Sequence, residues 1–161
     1  MAMDRLLDLL RENAKFSASE LAELAGVAEA EVAEKVSAWE QDGTILGYNA
    51  VVDADKAGDV SVSAFIEVKL TPERGGGFDR LAMRIARFEQ VSACYLTSGG
   101  YDLMVVVEGK TLREVASFVS EKLSTVGGVL STGTHFKLKT YKENGFLFEV
   151  EQPEGRLPVS P

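Results

Sequence analysis

Cysteine is almost missing, with Cys94 alone in 161 residues. A single thiol excludes an internal disulfide and a cysteine-based metal cluster. Its apolar flanks, VSACYL, mark it as a buried, inert thiol and not a nucleophile. Histidine is equally scarce, with His135 alone. One histidine with no Cys or His neighbour supplies neither a metal ligand set nor a Ser–His–Asp or Cys–His group, so His135 reads as a strand-surface or interface residue. Long apolar runs are missing too. Nothing approaches the roughly 18 apolar residues of a membrane helix, and MAMDRLLDLL has an early acid and no signal-type apolar core. A cytoplasmic protein with no membrane partner is expected. Basic residues are in deficit, 17 against 25 acidic, giving a net charge of −8 and a pI near 4.8. That argues against a chain whose whole surface attracts nucleic acid or anionic lipid. No nucleophile elbow or dinucleotide loop occurs. ERGGGF (73–78) lacks the Gly-Lys-Ser/Thr of a P-loop and reads as a strand-to-helix turn. Neither an enzyme, a metal nor a cofactor is expected.

What is present divides in two. Hydrophobic residues are 45% and charged residues 26%, the balance of a chain that buries a core. Residues 1–52 are rich in Ala, Glu and Leu, with four basic residues against ten acidic. Residues 53–161 are rich in Val, Thr, Ser and Gly, with 13 basic against 15 acidic. A helical module over 1–52 and a mixed α/β module over 53–161 follow.

In the first module, Leu6, Leu7, Leu9 and Leu10 give a helix over about 3–13 one apolar face. Ser17 and Glu20 fit a capping box for a second helix, in which Leu21, Leu24 and Ala25 recur on one side. Gly26 ends it. A third helix, AEAEVAEKVSAWEQDG (28–43), buries Val32, Val36 and Trp39. TILGYNAVV (44–52) looks extended. Two short helices across a glycine turn, then a strand, form a winged-helix-like helix-turn-helix. A plain three-helix bundle fits the pattern equally well.

The second module reads strand 62–71, turn 72–77, helix 78–88, strand 91–98, turn 99–102, strand 103–109, helix 111–123 and a long strand within 127–142. Strand 103–109 reads as buried on both faces. Helix 111–123 opens on a Thr111–Glu114 capping box. The order β-α-β-β-α-β is the ferredoxin-like pattern, so the fold class is α+β. FLFEV (146–150) reads as an extra edge strand, and the residues after it as a frayed tail. A ferredoxin-like sheet has helices on one face, and strands 62–70 and 103–107 carry more apolar residues than one core needs. A symmetric dimer burying the second face is the simplest account.

Three motifs are recognisable together: Gly43, Ile45, Gly47 and Tyr48 closing the first module; Gly99, Tyr101 and Asp102 in the central turn; and Gly128, Val129, Ser131, Thr132 and Thr134 opening the last strand. With this architecture, roughly residues 1–145 resemble the Lrp/AsnC family of transcriptional regulators, whose C-terminal part is the RAM-type ligand-binding domain. The resemblance implies DNA as partner, a small effector, often an amino acid, and homodimers assembling into higher oligomers. The sirohaem decarboxylases share the architecture, but they depend on histidines that a lone His135 does not provide.

On that basis the DNA-facing residues are Ser17, Glu31, Glu34, Lys35 and Ser37. The third helix opposes its own role, with five acids against Lys35 where the family usually shows a basic pair. DNA affinity comes largely from Lys and Arg on phosphates. Weak binding strengthened by assembly is one reading; an oligomeric ligand sensor whose acidic module contacts protein is the other. The effector-binding residues are Gly99, Gly100, Tyr101, Asp102, Ser131, Thr132 and Thr134. Exposed glycine N–H groups offer donors to a carboxylate, and Asp102 offers an acceptor to an ammonium. A simple hairpin turn and ordinary strand threonines are the plainer readings. Lys137 and Lys139 alternate onto one strand face, either solvated or facing an anion.

Overall fold

A computed structural model describes residues 4–72 and 77–148. The chain divides into two compact units, Met1–Ala50 and Val51–Pro161.

The first unit holds α1 (Arg5–Glu12), α2 (Ala18–Ala25) and α3 (Glu29–Asp42). The starts of α1 and α2 have a local cause. Asp4 Oδ1 accepts from Leu6 N–H at 2.9 Å and caps α1. Ser17 Oγ accepts from Glu20 N–H at 3.2 Å, while Glu20 Oε2 accepts from Ser17 N–H at 2.7 Å, so the capping box on α2 is complete. Gly26, at φ 71°, ends α2 in the left-handed region. The core is small. Leu6, Leu21 and Val32 are fully buried, with Val36 and Trp39 packed against them. Each buried side chain contributes on the order of 2 kcal/mol. Leu24, expected on that apolar side, is exposed. It is not among the side chains packed on Leu6, Leu21 and Val32.

The segment expected as a wing strand, 44–52, forms no strand. Among the described residues it has no neighbouring strand to pair with, and Leu46 is exposed. Its start is held onto α3. Ile45 N–H donates to Trp39 O at 2.9 Å, past Gly43 at φ 80°, and Tyr48 Oη donates to Glu40 Oε1 at 2.9 Å. The Gly-x-Ile-x-Gly-Tyr motif is therefore a helix closure with a tyrosine clasp.

The second unit opens on a short helix that the sequence reading omitted, α4 (Ala54–Ala57), capped by Asp53 and ended by Gly58. Then follow β1 (Val62–Leu70), α5 (Asp79–Ala86), β2 (Val91–Leu96), β3 (Leu103–Gly109), α6 (Leu112–Ser117) with a π-helical continuation (Phe118–Leu123), and β4 (Val129–Phe136). The sheet is antiparallel in the order β2-β3-β1-β4. This is the ferredoxin-like arrangement. Ala64, Ile66, Val68 and Leu70 of β1 and Leu103, Val105 and Val107 of β3 face Leu81, Ile85, Val115, Phe118 and Leu123 in one core. Two features differ from expectation. Strand β3 is buried on one face only, since Met104 and Val106 are half-buried on the other. The second helix widens to π at Phe118, where the large ring is placed edge-on to Phe88, centroids 5.4 Å apart.

Strand β4 stops at Phe136, so Lys137 and Lys139 do not share a strand face. Lys139 instead lies over the Tyr141 ring, 5.5 Å from its centroid. A two-residue pairing, β5 (Lys142–Glu143) with β6 (Phe146–Leu147), follows. The expected edge strand 146–150 is seen only as β6, and its last two residues, most of the 72–77 turn and the tail lie outside the described residues.

Candidate nucleic-acid and effector sites

Helix α3 presents acids with their charge only partly offset. Lys35 Nζ lies 3.2 Å from Glu31 Oε1 and 3.3 Å from Asp4 Oδ2. The hydrogen bond to Glu31, then that to Asp4, holds its pKa above the ordinary lysine value. The one cation of α3 is thus engaged within its own unit. Glu34 is exposed beside it. Ser37 Oγ accepts from Gln41 Nε2 at 3.0 Å, one turn on. Ser17 is exposed at the start of α2 with its hydroxyl committed to the capping box. The structure joins Glu31 and Lys35 in one ion-pair group. Asp4 is the member that the sequence reading missed, although an acid just before an apolar period is a recognisable cap signal.

In the second unit, the turn at 99–102 joins β2 to β3. Gly99 stands at φ 142°, and a Cβ built on Gly99 or Gly100 would meet nothing within 4 Å, so this backbone is open to an approaching group. Asp102 has a structural task that sequence did not disclose. Its Oδ2 accepts from Leu70 N–H at 2.7 Å, and its own N–H donates to Val68 O at 3.0 Å. Leu70 N–H points to the β3 side, as Val68 O does, but β3 begins only at Leu103, opposite Val68, so the carboxylate takes the donor left beyond the end of that ladder. Thr97 closes the turn, its N–H donating to Asp102 O at 2.9 Å. Tyr101 is half-buried.

The hydroxyls of β4 divide between the two faces. Thr132 and Thr134 pair with Val68 and Ile66 on the helix side, while Ser131 pairs with Lys69 on the other. Thr132 Oγ1 lies 3.2 Å from Ser124 Oγ. The turn and the start of β4 occupy the same end of the sheet, flanking β1. With β1 between them, their backbones are about 10 Å apart.

The open sheet face carries Phe65 and Tyr95, both exposed, with Met104, Val106 and Glu67. His135 Nε2 lies 3.4 Å from Glu67 Oε1 on this face. Cys94 is half-buried with Sγ 3.9 Å from Ala82 O, and burial raises its pKa, as suits an unreactive thiol. Among the described residues, no group of His, Cys, Asp and Glu is placed to hold a metal, and no helix is long and apolar enough to cross a membrane.

A helix-turn-helix unit followed by a ferredoxin-like module with a glycine–tyrosine–aspartate turn is the architecture of a ligand-responsive transcriptional regulator. Comparison with known proteins gives the family. Residues 63–147 match the Lrp/AsnC ligand binding domain. The chain is 45% identical over 157 residues, 97% of its length and 95% of the relative's, to the uncharacterized HTH-type transcriptional regulator YugG of Bacillus subtilis. It is 29% identical to the HTH-type transcriptional regulator FL11 of Pyrococcus abyssi, covering 86% of this chain and 89% of that one. The solved regulator NMB0573 of Neisseria meningitidis, an L-Met complex, has the same fold, with a TM-score of 0.65 at 21% identity over 88% of this chain and 94% of that one. The chain belongs to the Lrp/AsnC family of transcriptional regulators.

Proposed function

We propose that this regulator binds an amino acid at the 99–102 turn and DNA through the helix-turn-helix of its first unit, as a homo-oligomer. The observation that carries the effector reading is the open glycine backbone of Gly99 and Gly100 beside the Asp102 carboxylate. Exposed N–H groups suit a carboxylate, and Asp102 suits an ammonium. Thr132 and Thr134, one strand beyond β1, add hydroxyls at or near that end of the sheet. The L-Met complex of the neisserial regulator supports the same chemistry. DNA contact falls to Glu34, Ser37 and Ser17 at the exposed surface, with Lys35 largely engaged. Binding is therefore weak per module and gains from two or more modules acting together.

Removing Asp102 altogether would also orphan Leu70 N–H, so the informative change is Asp102→Asn, which retains an acceptor and removes the charge. In a thermal-shift panel of the twenty amino acids, at least one raises the melting temperature of the unchanged protein, and the shift disappears in D102N. A panel without a hit, or equal shifts in both proteins, rejects the site.

A further inference from the structure

The chain concentrates positive charge in one place. Helix α5 and its C-cap carry Arg80, Arg84 and Arg87, three of the eight arginines in a sequence of net charge −8. Their spacing, i, i+4 and i+7, puts all three on one stripe of the helix. That stripe lies beside, not within, the apolar stripe of Leu81 and Ile85 that fills the core. All three are exposed, and Arg84 and Arg87 form no ion pair among the described residues.

A merely solvated helix face gains by interleaving acids at i+3 or i+4, as Glu31 does for Lys35 on α3. Here like charges recur at those positions, an arrangement that costs helix stability. Helix-dipole stabilisation offsets part of that cost at Arg84 and Arg87, near the C-terminal end. The arginines also border a concavity. An open cavity of about 350 Å³ is lined by Arg80, Leu81, Met83, Arg84, Arg87 and Gly127. Next to the lining residue Gly127, Gly128 at φ 100° packs on α5 so closely that a Cβ would lie 2.6 Å from Leu81 Cδ1. The volume falls in the range of small-ligand sites. Among the described residues, the lining holds no acid, three guanidinium groups and the apolar side chains of Leu81 and Met83.

We propose that this cavity is a second ligand site, taking a small molecule that carries a phosphate group. Arg84 and Arg87, three residues apart, are neighbours able to clasp one phosphate with paired N–H donors. Phosphate matches them better than a single carboxylate, because it brings a second charge and a third acceptor oxygen. Met83, exposed beside them, receives the remainder of the molecule. The site is distinct in sequence and chemistry from the 99–102 turn and stands whether or not that turn binds an amino acid. A DNA backbone offers the same phosphate chemistry, but the concavity and its apolar wall favour the small molecule.

The test uses the full chain, titrated calorimetrically with inorganic tripolyphosphate, with ATP and with a duplex of mixed sequence. The unchanged protein and Arg113→Ala, a control arginine on α6, bind tripolyphosphate and ATP. Arg84→Ala/Arg87→Ala binds each at least roughly tenfold more weakly, the loss of one charge-assisted contact or more. Arg84→Lys/Arg87→Lys, which retains charge without the paired donors, falls between them. Absence of tripolyphosphate and ATP binding, or equal affinity in the double alanine variant, overturns the site. So does loss of duplex binding alone in that variant, which would assign the arginines to the DNA backbone.

Discussion

Ala28 occupies the N-cap of α3 in extended backbone, φ −75° and ψ 144°, with no side chain to accept from the first turn. The cap geometry is present and only the acceptor is missing. Ala28→Asp should therefore stabilise the first unit by about 1 kcal/mol, read as a higher denaturant midpoint at unchanged slope. The added acid also suits the helix dipole, as Glu29 and Glu31 already do. If the midpoint does not rise, α3 is not limited by its start. Asp102 shows the opposite case, a residue assigned one role from sequence and found with two. Its type and neighbours, GGYD, are visible in the chain. Its bond to Leu70, 32 positions away, is not, because it depends on where β3 stops against β1, which only strand pairing sets.

Helices α1 and α2 each have a carboxylate in their capping hydrogen bonds, Asp4 and Glu20, and that gives them a pH dependence with a definite sign. The Leu6 N–H, more than Lys35, holds Asp4 below its ordinary pKa; the Ser17 N–H, then its hydroxyl, does the same for Glu20. A depressed carboxyl pKa contributes stability above the unfolded-state value and loses it as pH falls through the folded one. Helical signal of the first unit should thus weaken from about pH 4 downward, and Asp4→Asn with Glu20→Gln should flatten that loss. Circular dichroism across pH 2.5 to 6 reads it; an equally steep loss in the double variant would place the titration elsewhere. Elements with their own start and stop signals were legible in the chain. The capping box of Ser17, the Gly26 turn and the alternation of β1 all appear as read. α4 had signals too, Asp53 and Gly58, but its four residues were too short to show a period. The π segment and the early end of β4 were not legible, since packing on Phe88 and the reach of β1 decide them. The same holds for Lys35, whose partner Asp4 lies 31 positions away.

At the scale of the whole molecule, the open sheet face and the acidic helix make the strongest demands. Phe65, Tyr95, Met104 and Val106 form an apolar surface that a second copy of the sheet would cover. Phe65→Glu places a charge at its centre strand and should reduce the solution mass toward that of the monomer while far-ultraviolet dichroism is retained. An unchanged mass from light scattering would exclude this face as the dimer contact. Assembly in turn decides what the acidic helix-turn-helix does. One module with a single, internally paired lysine on α3 neutralises few phosphates, so its affinity is low and its salt dependence shallow. Several modules on one oligomer recover affinity by avidity. The direct measurement is a titration of the intact oligomer against duplex DNA from upstream of its own coding sequence, at about 50 and about 200 mM salt. A regulator acting through this helix-turn-helix binds at the lower salt and weakens at the higher, and Phe65→Glu weakens it further. A folded oligomer that does not bind at about 50 mM salt contradicts DNA recognition by this unit and leaves a ligand sensor whose first unit contacts protein.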